Sequence, residues 1–127
     1  MIYLDSSVVL ARVFGEPITV PDSVWHEELV SSRLLEYEIW NRIHARGSKD
    51  LHETARTLLT RINFLELDRR RLVRALEPFP LSVRTLDALH LATIAYLRQD
   101  RTYVELASLD RRMIAAARAL GIPLYQA

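Results

Sequence analysis

Four acidic residues stand where their surroundings call for apolar or merely capping side chains. Asp5 follows the short apolar run at 1–4 and precedes Ser6-Ser7. Asp110 follows 104–109, which reads as a buried strand. Glu38 lies three residues after Leu35 and four after Leu34, on the helix face that those two core leucines share. Asp87 sits in Leu86-Asp87-Ala88-Leu89-His90-Leu91-Ala92 and shares a face with Leu91 and Ile94. Each acid alone has a plain structural explanation. Asp5 and Asp110 are good helix N-caps, Glu38 has Arg42 at i+4, and an acid in a first helical turn gains about 0.3–1 kcal/mol from the helix dipole. Four converging carboxylates are a different matter: like charges raise one another's pKa, so the set requires a cation. Oxygen-only donors, in a chain without cysteine, suit Mg²⁺ or Mn²⁺ rather than Zn²⁺. Such ions activate water and stabilise charge on a phosphoryl group, singly or as a pair about 3.5–4 Å apart. Phosphodiester hydrolysis is the chemistry this set suits. No histidine is then needed as general base. His90, at i+3 from Asp87, reads as a hydrogen-bonded helix histidine rather than a ligand, and its loss is expected to leave most activity.

The elements that position these acids alternate between strand and helix. A short strand at 2–4 leads into a helix over 6–14, which Gly15-Glu16-Pro17 stops. A short helix is expected at 21–28 and a small strand at 29–30. Leu34, Leu35, Ile39 and Ile43 give a helical period over 31–45, and Leu51, Ala55, Leu58 and Leu59 another over 49–62. A strand at 64–67, a basic helix at 69–76, a helix at 86–97, the strand at 104–109, a helix at 110–120 and a last strand at 123–125 complete the chain. Strands alternating with helices over short connections predict a three-layer α/β/α sandwich with a short central parallel sheet. Ligands of such sheets bind at the C-terminal strand ends, where Asp5 and Asp110 stand, and the first strand is expected near the middle.

The 127 residues suit a single domain spanning 1–127. No apolar run is long enough for a transmembrane helix, the start lacks the features of a secretory signal, and the absence of cysteine points to a reducing cytoplasm. Neither GxGxxG nor GxxxxGK[ST] occurs. Net charge is +1, yet all but one of the 17 basic residues are arginine, the exception being Lys49. Arginine's planar fork matches phosphate, and a GC-rich coding sequence would enrich it equally.

The segments Met1-Ile2-Tyr3-Leu4-Asp5-Ser6-Ser7, Ser32-Arg33-Leu34-Leu35-Glu36-Tyr37-Glu38-Ile39, Leu86-Asp87-Ala88-Leu89-His90-Leu91-Ala92 and Ala107-Ser108-Leu109-Asp110-Arg111-Arg112-Met113 resemble the successive motifs of the PIN-domain ribonucleases. The similarity is to the VapC toxins of toxin–antitoxin systems in particular. The stretch 115–123 resembles the family's final helix and strand. Each motif is short; the four in order are specific. The resemblance implies a metal-dependent endoribonuclease with Asp5, Glu38, Asp87 and Asp110 as its acidic, metal-binding site. Ser6 and Ser108 match positions where a hydroxyl accompanies the acids, Ser108 standing where threonine is common. It also implies a homodimer and a cognate antitoxin whose C-terminal segment reaches the acidic pocket.

Other functions compete. A receiver-type signalling domain shares the length, the fold class and a Mg²⁺-binding strand-end aspartate. It needs a second acid beside the first and a lysine after the last strand, whereas Asp5 is followed by two serines and Lys49 falls mid-chain. An RNA-binding module could grip phosphates with Arg69-Arg70-Arg71 and Arg74, a run that also suits a solvated helix face. A PIN-like nuclease of RNA processing would use the same site. For a homodimer, the large side chains Tyr37, Trp40 and Trp25 of the N-terminal half are the expected contributors.

Overall fold

The computed structural model describes residues 1–47 and 49–126. Strand β1 (Ile2–Leu4) is buried along its whole length, because it lies inside a sheet covered on both faces. Its side chains alternate: Ile2 and Leu4 enter one core, Tyr3 the other. β2 (Leu29–Ser32), β3 (Ile62–Leu65) and β4 (Glu105–Ala107) join it in the order β3-β2-β1-β4, every pairing parallel. β1 is therefore an inner strand, flanked by β2 and β4, as expected.

Helices α1 (Ser6–Phe14), α2 (Leu34–Arg46) and α3 (His52–Leu59) cover one face. They bury Val8, Val9, Leu35, Ile39, Ile43, Ala55 and Leu59 against Ile2, Leu4 and Leu29. The opposite face holds α5 (Thr85–Gln99) and α6 (Arg111–Ala119), whose Leu91, Ile94, Met113 and Ala117 pack on Tyr3, Val30 and Leu106. The single-turn α4 (Arg69–Leu72) precedes α5. The result is the expected three-layer α/β/α sandwich.

Several boundaries differ from the sequence expectation, two of them because sheet pairing overrides local period. Ser31 and Ser32 complete β2 through pairing with Phe64 and Leu65, so α2 starts only at Leu34. The helix expected over 49–62 is a 3₁₀ turn at Lys49–Leu51 followed by α3, and Ile62 belongs to β3 through its pairing with Leu29. β3 consequently lies two residues earlier than its expected 64–67. The segment at 21–28 is a 3₁₀ helix over Asp22–His26, and 69–76 splits into α4 and a 3₁₀ turn at Val73–Leu76. β4 is shorter than 104–109, and the last strand contracts to one parallel bridge, Leu124 to Leu106. Among the described residues, no helix is long and apolar enough to cross a membrane.

Candidate active site

Beyond Leu4 the β1–β4 ladder continues for one more bond, Asp5 N–H donating to Ala107 O at 3.0 Å. That bond sets Asp5 beside Ser108. Asp5 is nearly fully buried, and its Oδ2 accepts hydrogen bonds from Ser7 Oγ (2.6 Å) and Ser108 Oγ (2.8 Å). Although Asp5 occupies the N-cap position of α1, its side chain makes no capping bond. Capping thus does not explain this aspartate. Ser108 also accepts from Asp110 N–H (3.0 Å), and Ser7 from Leu109 N–H (2.9 Å). The two serines tie Asp5 to the turn that presents Asp110.

Asp110 does cap its helix: Oδ1 accepts from Arg112 N–H (2.8 Å) and Met113 N–H (3.2 Å). Asp87 lies in the first turn of α5. Burial, and then the negative charges of Asp110 and Asp5, hold its carboxyl above the usual range. The charges of Asp110 and Asp5 thus both reach Asp87.

Glu38 does not pair with Arg42, its i+4 neighbour. Its Oε1 lies 2.5 Å from His90 Nε2, and its Oε2 accepts from Ser6 Oγ at 3.2 Å. Ser6 and Ser108, the two expected supporting hydroxyls, therefore each bond one of the acids. His90 is 1% exposed, and its Nδ1 lies 2.6 Å from the Tyr3 hydroxyl. It is a hydrogen-bonded core histidine, as read from the sequence. Its bond to Glu38 ties it to one of the four acids, a link that the expectation of most activity surviving its loss did not include. Ser7, Tyr3 and the His90–Glu38 bond went unread. The alternation that puts Tyr3 and Asp5 on the same side of β1 was the available signal for Tyr3.

Asp5, Glu38, Asp87 and Asp110 line one open cleft of about 820 Å³ at the C-terminal end of the sheet. Its wall also carries Arg42, Arg84, Arg111 and Arg112. Among the described residues none of these four arginines is ion-paired. By contrast, two arginines of the basic run after β3 are engaged locally. Arg71 pairs with Asp68, and Arg74 bonds the Glu77 and Pro78 carbonyls while stacking on Phe79. Trp25, expected at an interface, is a core residue at 6% exposure because it packs under the sheet with Val24 and Leu29; Tyr37 is 62% exposed.

The acids converge on the cleft less closely than the sequence suggested. Among the described residues, no three acidic or histidine side chains are drawn together tightly enough to hold an ion as they stand. Asp5, Glu38 and Asp110 are each engaged in bonds within the protein. The donor set itself, four carboxylates with no sulfur and with the nearest imidazole already bonded on both nitrogens, fits a hard divalent cation.

The profile described as the PIN domain matches residues 2–119. Two relatives, both from Mycobacterium tuberculosis, match over 95% of this chain and 93% of their own length. Ribonuclease VapC46 of strain ATCC 25618 / H37Rv is 33% identical, and Ribonuclease VapC47 of strain CDC 1551 / Oshkosh is 28% identical. No solved structure matches the chain. The match over nearly the whole chain sets aside the receiver-type alternative, and with the parallel sheet and the acids at its rim it establishes that this chain belongs to the PIN-domain family.

Proposed function

We propose that this protein is a divalent-metal-dependent endoribonuclease, the toxin of a toxin–antitoxin pair, with Asp5, Glu38, Asp87 and Asp110 as its metal-binding and catalytic acids. The observation that carries the reading is one cleft lined by all four acids and walled by four unpaired arginines. An acid set alone would repel a polyanion; arginines alone would bind it without cutting. The likeness to two VapC ribonucleases supports RNA as the substrate.

When bound, Mg²⁺ or Mn²⁺ supplies Lewis acidity toward water and the scissile phosphate. The chain's own residues do the rest. Asp5, fixed through Oδ2 by Ser7 and Ser108, and Asp110, fixed through Oδ1 by the α6 backbone, each keep a second carboxylate oxygen for the ion. Arg42, Arg84, Arg111 and Arg112 grip flanking phosphates. Water oxygen bonds to phosphorus as one P–O ester bond breaks, and the departing oxygen takes a proton. Ser6 and Ser108 hold the acids rather than attack.

The test is cleavage of total RNA with Mn²⁺ or Mg²⁺, with and without EDTA. Asp5→Asn is expected to lower cleavage at least about 100-fold with the fold intact. Cleavage that persists in EDTA, or survives Asp5→Asn undiminished, refutes the reading. The reading includes a cytoplasmic homodimer with a cognate antitoxin, and exposed Tyr37 on α2 suits a two-fold contact. Sedimentation should give a dimer at micromolar concentration; a monomer there refutes that part.

A further inference from the structure

The buried pair Tyr3–His90 has no part in the chemistry described so far, yet it ends on Glu38. Tyr3 and His90 are both sealed in the core, at 0% and 1% exposure. The Tyr3 hydroxyl accepts from Ser32 N–H at 3.1 Å and meets His90 Nδ1 at 2.6 Å. His90 Nε2 meets Glu38 Oε1 at 2.5 Å. Donor arithmetic fixes the direction of this chain. A bare Nε2 facing a carboxylate oxygen at that distance would set lone pair against lone pair, so Nε2 carries the hydrogen. With that one hydrogen on the ring, Nδ1 is the acceptor and the phenol donates to it. The nearby hydroxyls of Ser31 and Thr93 give their hydrogens to Leu4 O and Leu89 O, so neither supplies one to this chain.

We propose that His90, oriented by Tyr3, is the positioning residue of Glu38: its Nε2–H holds Oε1 and leaves Oε2, bonded only to the Ser6 hydroxyl at the cleft, as the oxygen offered to the metal. This rests on the reading of Glu38 as a metal-binding acid. The physical need is plain. Glu38 hangs from α2, whereas Asp5 and Asp110 are set by β1 and β4 and Asp87 by α5. A glutamate has three side-chain torsions, and holding one oxygen from the far layer removes most of that freedom. Groups that orient a metal's ligands in this way are typically worth about 10–100-fold in affinity.

The test has two arms on the full chain. In the metal-free protein, ¹⁵N NMR of the imidazole should show one neutral tautomer, hydrogen on Nε2 and bare Nδ1. A hydrogen on Nδ1 overturns the proposal whatever the activity. In the second arm, His90→Gln places an amide N–H near the position of Nε2, whereas His90→Asn is too short to reach Glu38. Mn²⁺ affinity by calorimetry should fall about 10–100-fold in His90→Asn and recover most of that loss in His90→Gln, with both variants folded by circular dichroism. RNA cleavage should follow the same order. Folded His90→Asn binding Mn²⁺ as the wild type does overturns the positioning role alone. A wild-type protein that binds no Mn²⁺ and cuts no RNA overturns this proposal together with the reading of the site. Should His90→Asn fail to fold, Tyr3→Phe serves instead: it keeps the ring but removes the phenol that orients it, and is expected to weaken Mn²⁺ binding. Unchanged binding in that variant overturns the proposal.

Discussion

The proton affinity of Asp87 reports directly on its neighbours. Its carboxyl is held above the ordinary range by burial and by the charges of Asp110 and Asp5. A carboxyl with a raised folded-state pKa binds its proton more tightly in the native than in the unfolded chain, so stability from this group falls as pH rises through that window. At neutral pH the ionised side chain therefore works against the metal-free fold. Asp87→Asn is expected to raise the melting temperature of the metal-free protein at pH 7, with the gain shrinking as pH falls through the raised pKa and gone below the usual carboxylate pKa. Cleavage should be lost in the same variant. Scanning calorimetry at several pH values checks the sign, and an unchanged or lowered midpoint at pH 7 would refute it. The four acids were legible from the sequence because each broke a pattern: a charge in an apolar helix stripe, or an acid closing a buried run. Their partners were not. Ser7 and Ser6 are adjacent and chemically identical, and only the fold assigns one to Asp5 and the other to Glu38. His90 and Glu38 are 52 residues apart, and no local period encodes that meeting.

At the scale of elements, α6 depends on the same aspartate that serves the cleft. Asp110 accepts from two backbone N–H groups at the helix start, so its roles in capping and in the site can be separated by substitution. Asp110→Asn keeps an oxygen for the cap and is expected to leave stability nearly unchanged while abolishing cleavage. Asp110→Ala should lose cleavage and also about 0.5–2 kcal/mol of stability. Equal stability losses in both variants, read from urea unfolding, would mean that the charge, not the cap, holds the turn. The helices themselves were well marked by period and by stops; α1 was placed to the residue. The strands were less so. β2 is Leu29-Val30-Ser31-Ser32, and its serines look like a helix start until pairing with β3 claims them. Of the two hydroxyls in this buried strand, that of Ser31 is explained only by the third dimension, that of Ser32 by a local turn. Ser31 Oγ donates to Leu4 O, and Ser32 Oγ accepts from Leu34 N–H.

For the whole molecule, the near-zero net charge conceals a local concentration of both signs. Four acids and four arginines line the same cleft. Binding of single-stranded RNA should therefore depend on salt through those arginines. Arg84→Ala is expected to weaken binding of a catalytically dead Asp5→Asn background and to reduce the slope of log K against log salt by about 0.7. Filter binding at four salt concentrations measures it, and an unchanged slope would remove Arg84 from the RNA path. The order of the sheet carries a consequence for biosynthesis. β1 emerges first from the ribosome but sits between β2 and β4, and Asp5 takes one of its two hydroxyl bonds from Ser108, 103 residues later. At synthesis rates of about 5–20 residues per second, the first acid waits about 5–20 s for its partner. Throughout that interval the growing chain has neither its inner strand closed nor its cleft assembled. A site that needs both Asp5 and Asp110 is therefore expected to form beside the messenger from which it is being read only once β4 and the turn after it have been made.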